Sequence, residues 1–137
     1  MKKFLALILV VFTFDVLAYK NRPLFLGCDG VYTVTIGEGS KGVFKSFSTD
    51  DIEEFYLYDR IDGQSLTTEN ERYIQEFLER YGCKKVFTET VSGIVVKYYY
   101  SPKISAYRSI NGQKVNVQTA RNGNNYTIGS PLIYGGY

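Results

Sequence analysis

From Lys84 onward the apolar residues of this 137-residue chain recur every second position, and two Asn-Gly dipeptides, Asn111-Gly112 and Asn122-Gly123, interrupt them. Asn-Gly supplies the positive φ angles that a two-residue hairpin turn needs, so this segment is restricted to an antiparallel meander. Ile94, Val96, Tyr98 and Tyr100 fall on one face of a predicted strand and Val95, Lys97 and Tyr99 on the other, until Ser101-Pro102 ends it. Ile104 to Ile110 and Lys114 to Thr119 read as a hairpin about Asn111-Gly112. Asn122-Gly123 turns the chain into Tyr126-Thr127-Ile128 and a tail over 130–137.

Upstream the period is helical. Thr68-Glu69-Asn70-Glu71 has the form of a capping box, Ile74, Phe77, Leu78 and Tyr81 follow at i, i+3, i+4 and i+7, and Gly82 stands where a left-handed C-cap belongs. A shorter helix is predicted from Ser48-Thr49-Asp50-Asp51 to about Tyr58, its acids suited to the positive end of the helix dipole. Before it, Tyr32-Thr33-Val34-Thr35-Ile36 and Val43-Phe44-Lys45-Ser46-Phe47 read as paired strands. Between them Gly37-x-Gly39-x-x-Gly42 has the letters of a dinucleotide fingerprint, but a β-branched and aromatic run follows where a helix would have to begin, so it reads as a loop. The expected fold class is α+β: an antiparallel sheet with a long helix and a short helix packed on one face.

The N-terminus reads as an export signal. Lys2 and Lys3 precede an apolar run from Phe4 to Phe14, and Val16-Leu17-Ala18 ends it with a cleavage-type sequence. Asp15 stops the run well short of the roughly 20 residues of a membrane span. Residues 1–18 are therefore expected to be a signal peptide, 19–27 an extended lead, and 28–137 a single domain, with membrane contact only during export. Phe25-Leu26-Gly27-Cys28 has some likeness to a lipid-attachment string, but the bulky Leu26 and the polar Tyr19 to Arg22 stretch argue against it.

Cleavage would remove Lys2, Lys3 and Asp15 from the 16 basic and 14 acidic side chains, leaving 14 and 13. A nearly neutral domain speaks against polyelectrolyte binding, so nucleic acid is not an expected partner. Within the chain, however, charge is segregated: residues 50–79 hold ten acids against Arg60 and Arg72, whereas residues 84–137 hold seven basic side chains against Glu89. An acidic helical layer would then face a basic sheet, either as internal complementarity or as a field for a partner.

Cys28 and Cys83 are the only cysteines, and an exported chain allows a disulfide between them. Its loop of roughly 55 residues would contribute about 4 kcal/mol in the chain-entropy model. Sequence alone leaves the bridged and free states both open.

No histidine is present, which removes Ser-His and Cys-His nucleophile pairs, histidine-based zinc sites and the usual general base near neutral pH. Asp50, Asp51, Glu53 and Glu54 read as a solvated helix start, and Asp59-Arg60-Ile61-Asp62-Gly63 offers too few oxygens for a calcium loop. No catalytic residue, cofactor or metal is expected. The candidate binding face is Lys97, Tyr99 and Tyr107, an amphipathic patch suited to glycan or peptide on the side of the sheet away from the core.

Tyr100-Ser101-Pro102-Lys103-Ile104, then Ile110 to Ala120, then Ile128-Gly129-Ser130-Pro131-Leu132-Ile133 and the Gly-aromatic end resemble the YwmB-like proteins of spore-forming Gram-positive bacteria. The resemblance covers about residues 70–137. It implies an exported protein with a fold like that of the TATA-box-binding protein; it carries no catalytic residues to transfer and no DNA binding. Members of that family are longer, and here the first half shrinks to residues 28–66. The expected function is a non-catalytic, envelope-associated binding domain whose partner is an envelope protein or a glycan. A carboxylate- or cysteine-dependent enzyme is the less favoured alternative.

Overall fold

The computed structural model describes residues 22–37, 42–58 and 60–136. The expected signal peptide, its cleavage point at Tyr19 and Gly39 of the glycine loop lie outside the described residues. The elements run β1 (Val31–Ile36), β2 (Val43–Ser48), a 3-10 segment (Thr49–Leu57), β3 (Gly63–Thr68), α1 (Glu71–Arg80), β4 (Lys84–Val91), β5 (Ile94–Tyr100), β6 (Arg108–Ile110), β7 (Gln113–Val115), β8 (Val117–Asn122) and β9 (Asn125–Ser130). Seven strands form one sheet in the order β2-β1-β3-β9-β8-β5-β4, every pair antiparallel, and β6 and β7 make a separate hairpin. The architecture is α+β, as the change of period implies.

The turn chemistry acts as expected at Asn111-Gly112. Both residues take positive φ, 51° and 76°, and Ile110 pairs with Gln113 across them. Ser92-Gly93 does the same between β4 and β5, with φ of 51° and 80°. At the second Asn-Gly the register differs: Asn122 pairs with Asn125, so Gly123 and Asn124 form the turn and Asn122 ends its strand.

Of the two expected helices, the shorter is present over its expected span and the length of the other is corrected. α1 has ten residues and is not long, because β3 continues through Thr68 and the true N-cap is Asn70, whose side chain accepts from the Arg72 amide at 3.1 Å. The helix ends as expected: Gly82 has φ of 59°, its amide donates to Glu79 O and the Cys83 amide to Leu78 O, the paired bonds of a Schellman motif. The predicted shorter helix is 3-10 in geometry, kinked at Asp51 and capped by Ser48, whose hydroxyl accepts from the Asp50 amide.

β3 has no counterpart among the predicted elements, although it lies near the centre of the sheet. Its sequence, Gly-Gln-Ser-Leu-Thr-Thr, carries one large apolar residue. Side-chain hydrogen bonds replace apolar packing there: Gln64 meets the Tyr32 hydroxyl and the Leu24 amide, and the Thr67 and Thr127 hydroxyls meet at 3.1 Å. Only Leu66, fully buried against Tyr32 and Ile128, reads as core.

The sheet is covered on both sides. On one, the 3-10 segment and α1 bring Phe55, Ile74 and Phe77 onto Tyr32, Val34, Phe47, Leu66, Val117 and Ile128. Phe25 of the N-terminal lead joins them, its ring 4.9 Å from Phe77 and 5.8 Å from Tyr32. On the other, Val96, Tyr98 and Ala120 pack with Val115 of β7 and Ile133 of the tail. The tail then crosses the sheet: Ile133 N donates to Gln118 Oε1 at 2.7 Å, the Tyr134 ring lies over Gly63, and Gly135 reaches Phe44 and Thr33.

Asn116, between β7 and β8, fixes the place where the chain leaves the small hairpin for the main sheet. Its side chain is fully buried, accepts from Ser101 N at 2.8 Å, and donates to Ser101 O at 2.7 Å and Ile104 O at 2.9 Å. Its backbone is held as well, by the Ser130 hydroxyl on its carbonyl and by its own amide on Tyr99 O.

Candidate functional site

Alternation along β5 is as expected, with Val96 and Tyr98 buried, Val95 and Lys97 exposed and Tyr99 half-buried. Lys97 and Tyr99 lie on the side of the sheet that carries α1, and the face bearing Val96 and Tyr98 has a cover of its own in the tail and the β6–β7 hairpin. The residues between α1 and the strands form a cleft of about 260 Å³. Glu71, Ile74, Gln75 and Leu78, at i, i+3, i+4 and i+7, supply the helix wall. Val95, Lys97 and Tyr99 of β5 supply the opposite wall, and Thr119, Arg121 and Tyr126 of β8 and β9 complete it.

Strand register explains how these side chains converge. Lys97 pairs with Thr119, Val95 with Arg121, and Arg121 in turn with Tyr126, so all six project from the same face of three adjacent strands. Lys97 and Arg121 are diagonal neighbours on that face. The Arg121 guanidinium rests over the Tyr126 ring, 5.5 Å from its centroid. Tyr99 is half-buried; burial raises its hydroxyl above the ordinary range, partly offset by a bond with the Thr119 side chain.

Arg121, Tyr126, Gln75 and Thr119 were not among the sequence candidates. Their signal is the register itself, which follows once Gly123-Asn124 rather than Asn122-Gly123 is taken as the turn. Tyr107 does not line the cleft; it is exposed beside β6, with the Lys114 ammonium 4.8 Å from its ring centroid.

Among the described residues the ion pair observed is Arg72 with Glu76, within α1 at 2.8 Å, so it does not join the acidic segment to the basic one. No described acid lies within ion-pair distance of Lys97 or Arg121. Among the described residues no group of three or more cysteines and acids is arranged to hold a metal ion, and no helix is long and apolar enough to cross a membrane. Asp62 instead braces the backbone, accepting from the Gly37 amide at 2.6 Å.

Cys28 and Cys83 are both half-buried free thiols. Burial raises Cys28, with Arg80 opposing and Glu76 and Asp29 reinforcing the shift. Burial alone pushes Cys83 up to about 11 from 9.0. A reactive thiol needs the opposite shift. The folded state therefore keeps Cys83 protonated where the unfolded chain begins to ionise it, so its contribution to stability is full below pH 9 and disappears as pH rises towards 11. Melting curves at pH 8 and pH 10.5 are expected to show a larger alkaline loss in the wild type than in Cys83→Ser; equal losses would place the sensitivity elsewhere.

No family model, curated protein or solved structure matches the chain.

Proposed function

We propose that this chain is an exported, non-catalytic binding domain of the cell envelope, and that the cleft between α1 and β5 holds its ligand. The observation that carries the reading is the convergence of Lys97, Tyr99, Arg121 and Tyr126 on one concave surface, an apolar floor with a few polar groups, as in small-ligand sites generally. Raised thiols and a largely exposed row of acids at Asp50 to Glu54 favour binding over catalysis. Membership of the YwmB-like family, read from residues 70–137, belongs to the same proposal and supplies the envelope location.

A glycan suits the cleft better than an extended peptide. β5, β8 and β9 are each paired on both sides, so no free main-chain edge faces the cleft to receive a peptide strand. Recognition must run through side chains, and Gln75, Thr119, Lys97, Arg121 and Glu71 offer donors and acceptors around two tyrosine rings.

Sedimentation with purified peptidoglycan tests this. Wild type is expected to pellet with the wall, and Gln75→Trp, which fills the cleft from an exposed helix position, is expected to lose at least tenfold in affinity with an unchanged melting temperature. Undiminished binding by that variant would remove the cleft from consideration. Intact-mass analysis of exported protein should find Tyr19 as the first residue; full-length protein in the membrane fraction would overturn the cleavage.

A further inference from the structure

Lys97 and Arg121 stand on adjacent strands of the cleft wall with no described acid within ion-pair distance of either, while the other walls carry Ile74, Leu78, Val95 and the rings of Tyr99 and Tyr126. Two cations on one side of a concave, partly apolar surface form a half-site. Their Coulomb field adds, no described carboxylate stands within ion-pair distance to quench it, and the low-dielectric wall focuses it into the cleft. Arg121 is further set in place by its stacking on Tyr126, which leaves the donors of the guanidinium edge free to meet a carboxylate in plane.

We infer that the cleft selects an acidic sugar, with the sugar carboxylate between Lys97 and Arg121 and the ring lying against tyrosine. This rests on the glycan reading above and adds the charge of the ligand to it. The volume of about 260 Å³ falls slightly below the usual range for drug-sized ligands and fits one sugar unit with its substituents. Gln75 and Thr119 then face the hydroxyl edge, where neutral donors and acceptors are wanted. The lone acid, Glu71, sits in the first turn of α1, where the helix dipole favours its negative charge.

Titration calorimetry on the purified chain separates the outcomes, with N-acetylmuramic acid and glucuronic acid as acidic probes and N-acetylglucosamine as the neutral one. N-acetylmuramic acid and N-acetylglucosamine share a ring and differ by a lactyl carboxylate. The acidic sugars are expected to bind at least tenfold more tightly at low salt, and 0.5 M NaCl should erode most of that preference. Lys97→Gln combined with Arg121→Gln should abolish the preference, bringing the affinity for N-acetylmuramic acid down to that for N-acetylglucosamine; both positions are exposed, so the fold is not at stake. Equal affinity for N-acetylmuramic acid and N-acetylglucosamine overturns the acidic selectivity and leaves the glycan site standing. Binding of no sugar overturns both. Tighter binding of a dipeptide with a free C-terminus than of any sugar, lost on amidation, would assign the cations to a peptide carboxylate instead.

Discussion

Asn116→Ala is expected to cost about 4 kcal/mol. The substitution removes three hydrogen bonds at a site with no solvent exposure, taking away the side-chain partner of Ser101 N and of Ile104 O and leaving Ser101 O only the Ile104 amide at 3.4 Å. Each buried polar group left without a partner costs roughly 1–3 kcal/mol, and relaxation of the Ser101 to Ile104 turn recovers part of the sum. Asn116→Asp should be no better, since it keeps an acceptor for Ser101 N but turns a carboxylate oxygen towards two carbonyls. Ser101→Ala gives the scale, because it deletes the hydroxyl that bonds Tyr81 O and the Lys103 amide while sparing the main-chain partners of Asn116. Urea unfolding of the three variants decides it. A loss at Asn116→Ala no larger than at Ser101→Ala would mean that water or a shifted turn replaces the lost partners.

Phe77→Ala is expected to cost about 3 to 5 kcal/mol, the range for a buried aromatic ring. The ring is 4% exposed and touches Phe25 at 4.9 Å and Tyr81 at 4.4 Å between centroids, so its loss opens a cavity shared by the helix, the N-terminal lead and the sheet. Collapse into that cavity is opposed from both sides, because Phe25 sits on a segment held by the Leu24 amide to Gln64 and Tyr32. Denaturant midpoints read the effect, and a loss below about 1 kcal/mol would show that the lead closes over the gap.

Elements whose side chains repeat with one period and are bounded by Gly or Pro were legible in the sequence. β4, β5, the Asn111-Gly112 hairpin and the core face of α1 all follow from local pattern. β3 was not, because a central strand is normally read from its apolar residues, and here glutamine, serine and threonine fill it, with Gln64, Thr67 and Thr68 bonding groups outside the strand. Lys97 and Tyr99 were correctly paired on one face, but which face meets the helix is a property of the whole topology: it depends on where the tail and the small hairpin lie. Alternation along one strand says that two faces differ and is silent on which cover each receives. Arg121 and Tyr126 were hidden because a one-residue change in turn placement shifts each cross-strand partner by two positions: a turn at Asn122-Gly123 would set Arg121 opposite Asn124, whereas the turn at Gly123-Asn124 sets it opposite Tyr126.

The junction of β3 with β9 has a consequence for how the sheet is assembled. Leu66 and Ile128, which face each other there, are 62 positions apart, whereas Val31 and Ser48 of the first hairpin are 17 apart and Asn122 and Asn125 only three. Closing that junction costs the most chain entropy of any strand pairing in the molecule. Until it closes, the middle of the finished sheet exists as two bare edges, with unpaired amides and carbonyls open to any other extended chain. Valine and isoleucine along such an edge would make it a template for aggregation. Gly-Gln-Ser-Leu-Thr-Thr and Asn-Tyr-Thr-Ile-Gly-Ser keep it hydrated instead, so the polarity that conceals β3 from a hydrophobic reading also protects the half-assembled protein from its neighbours.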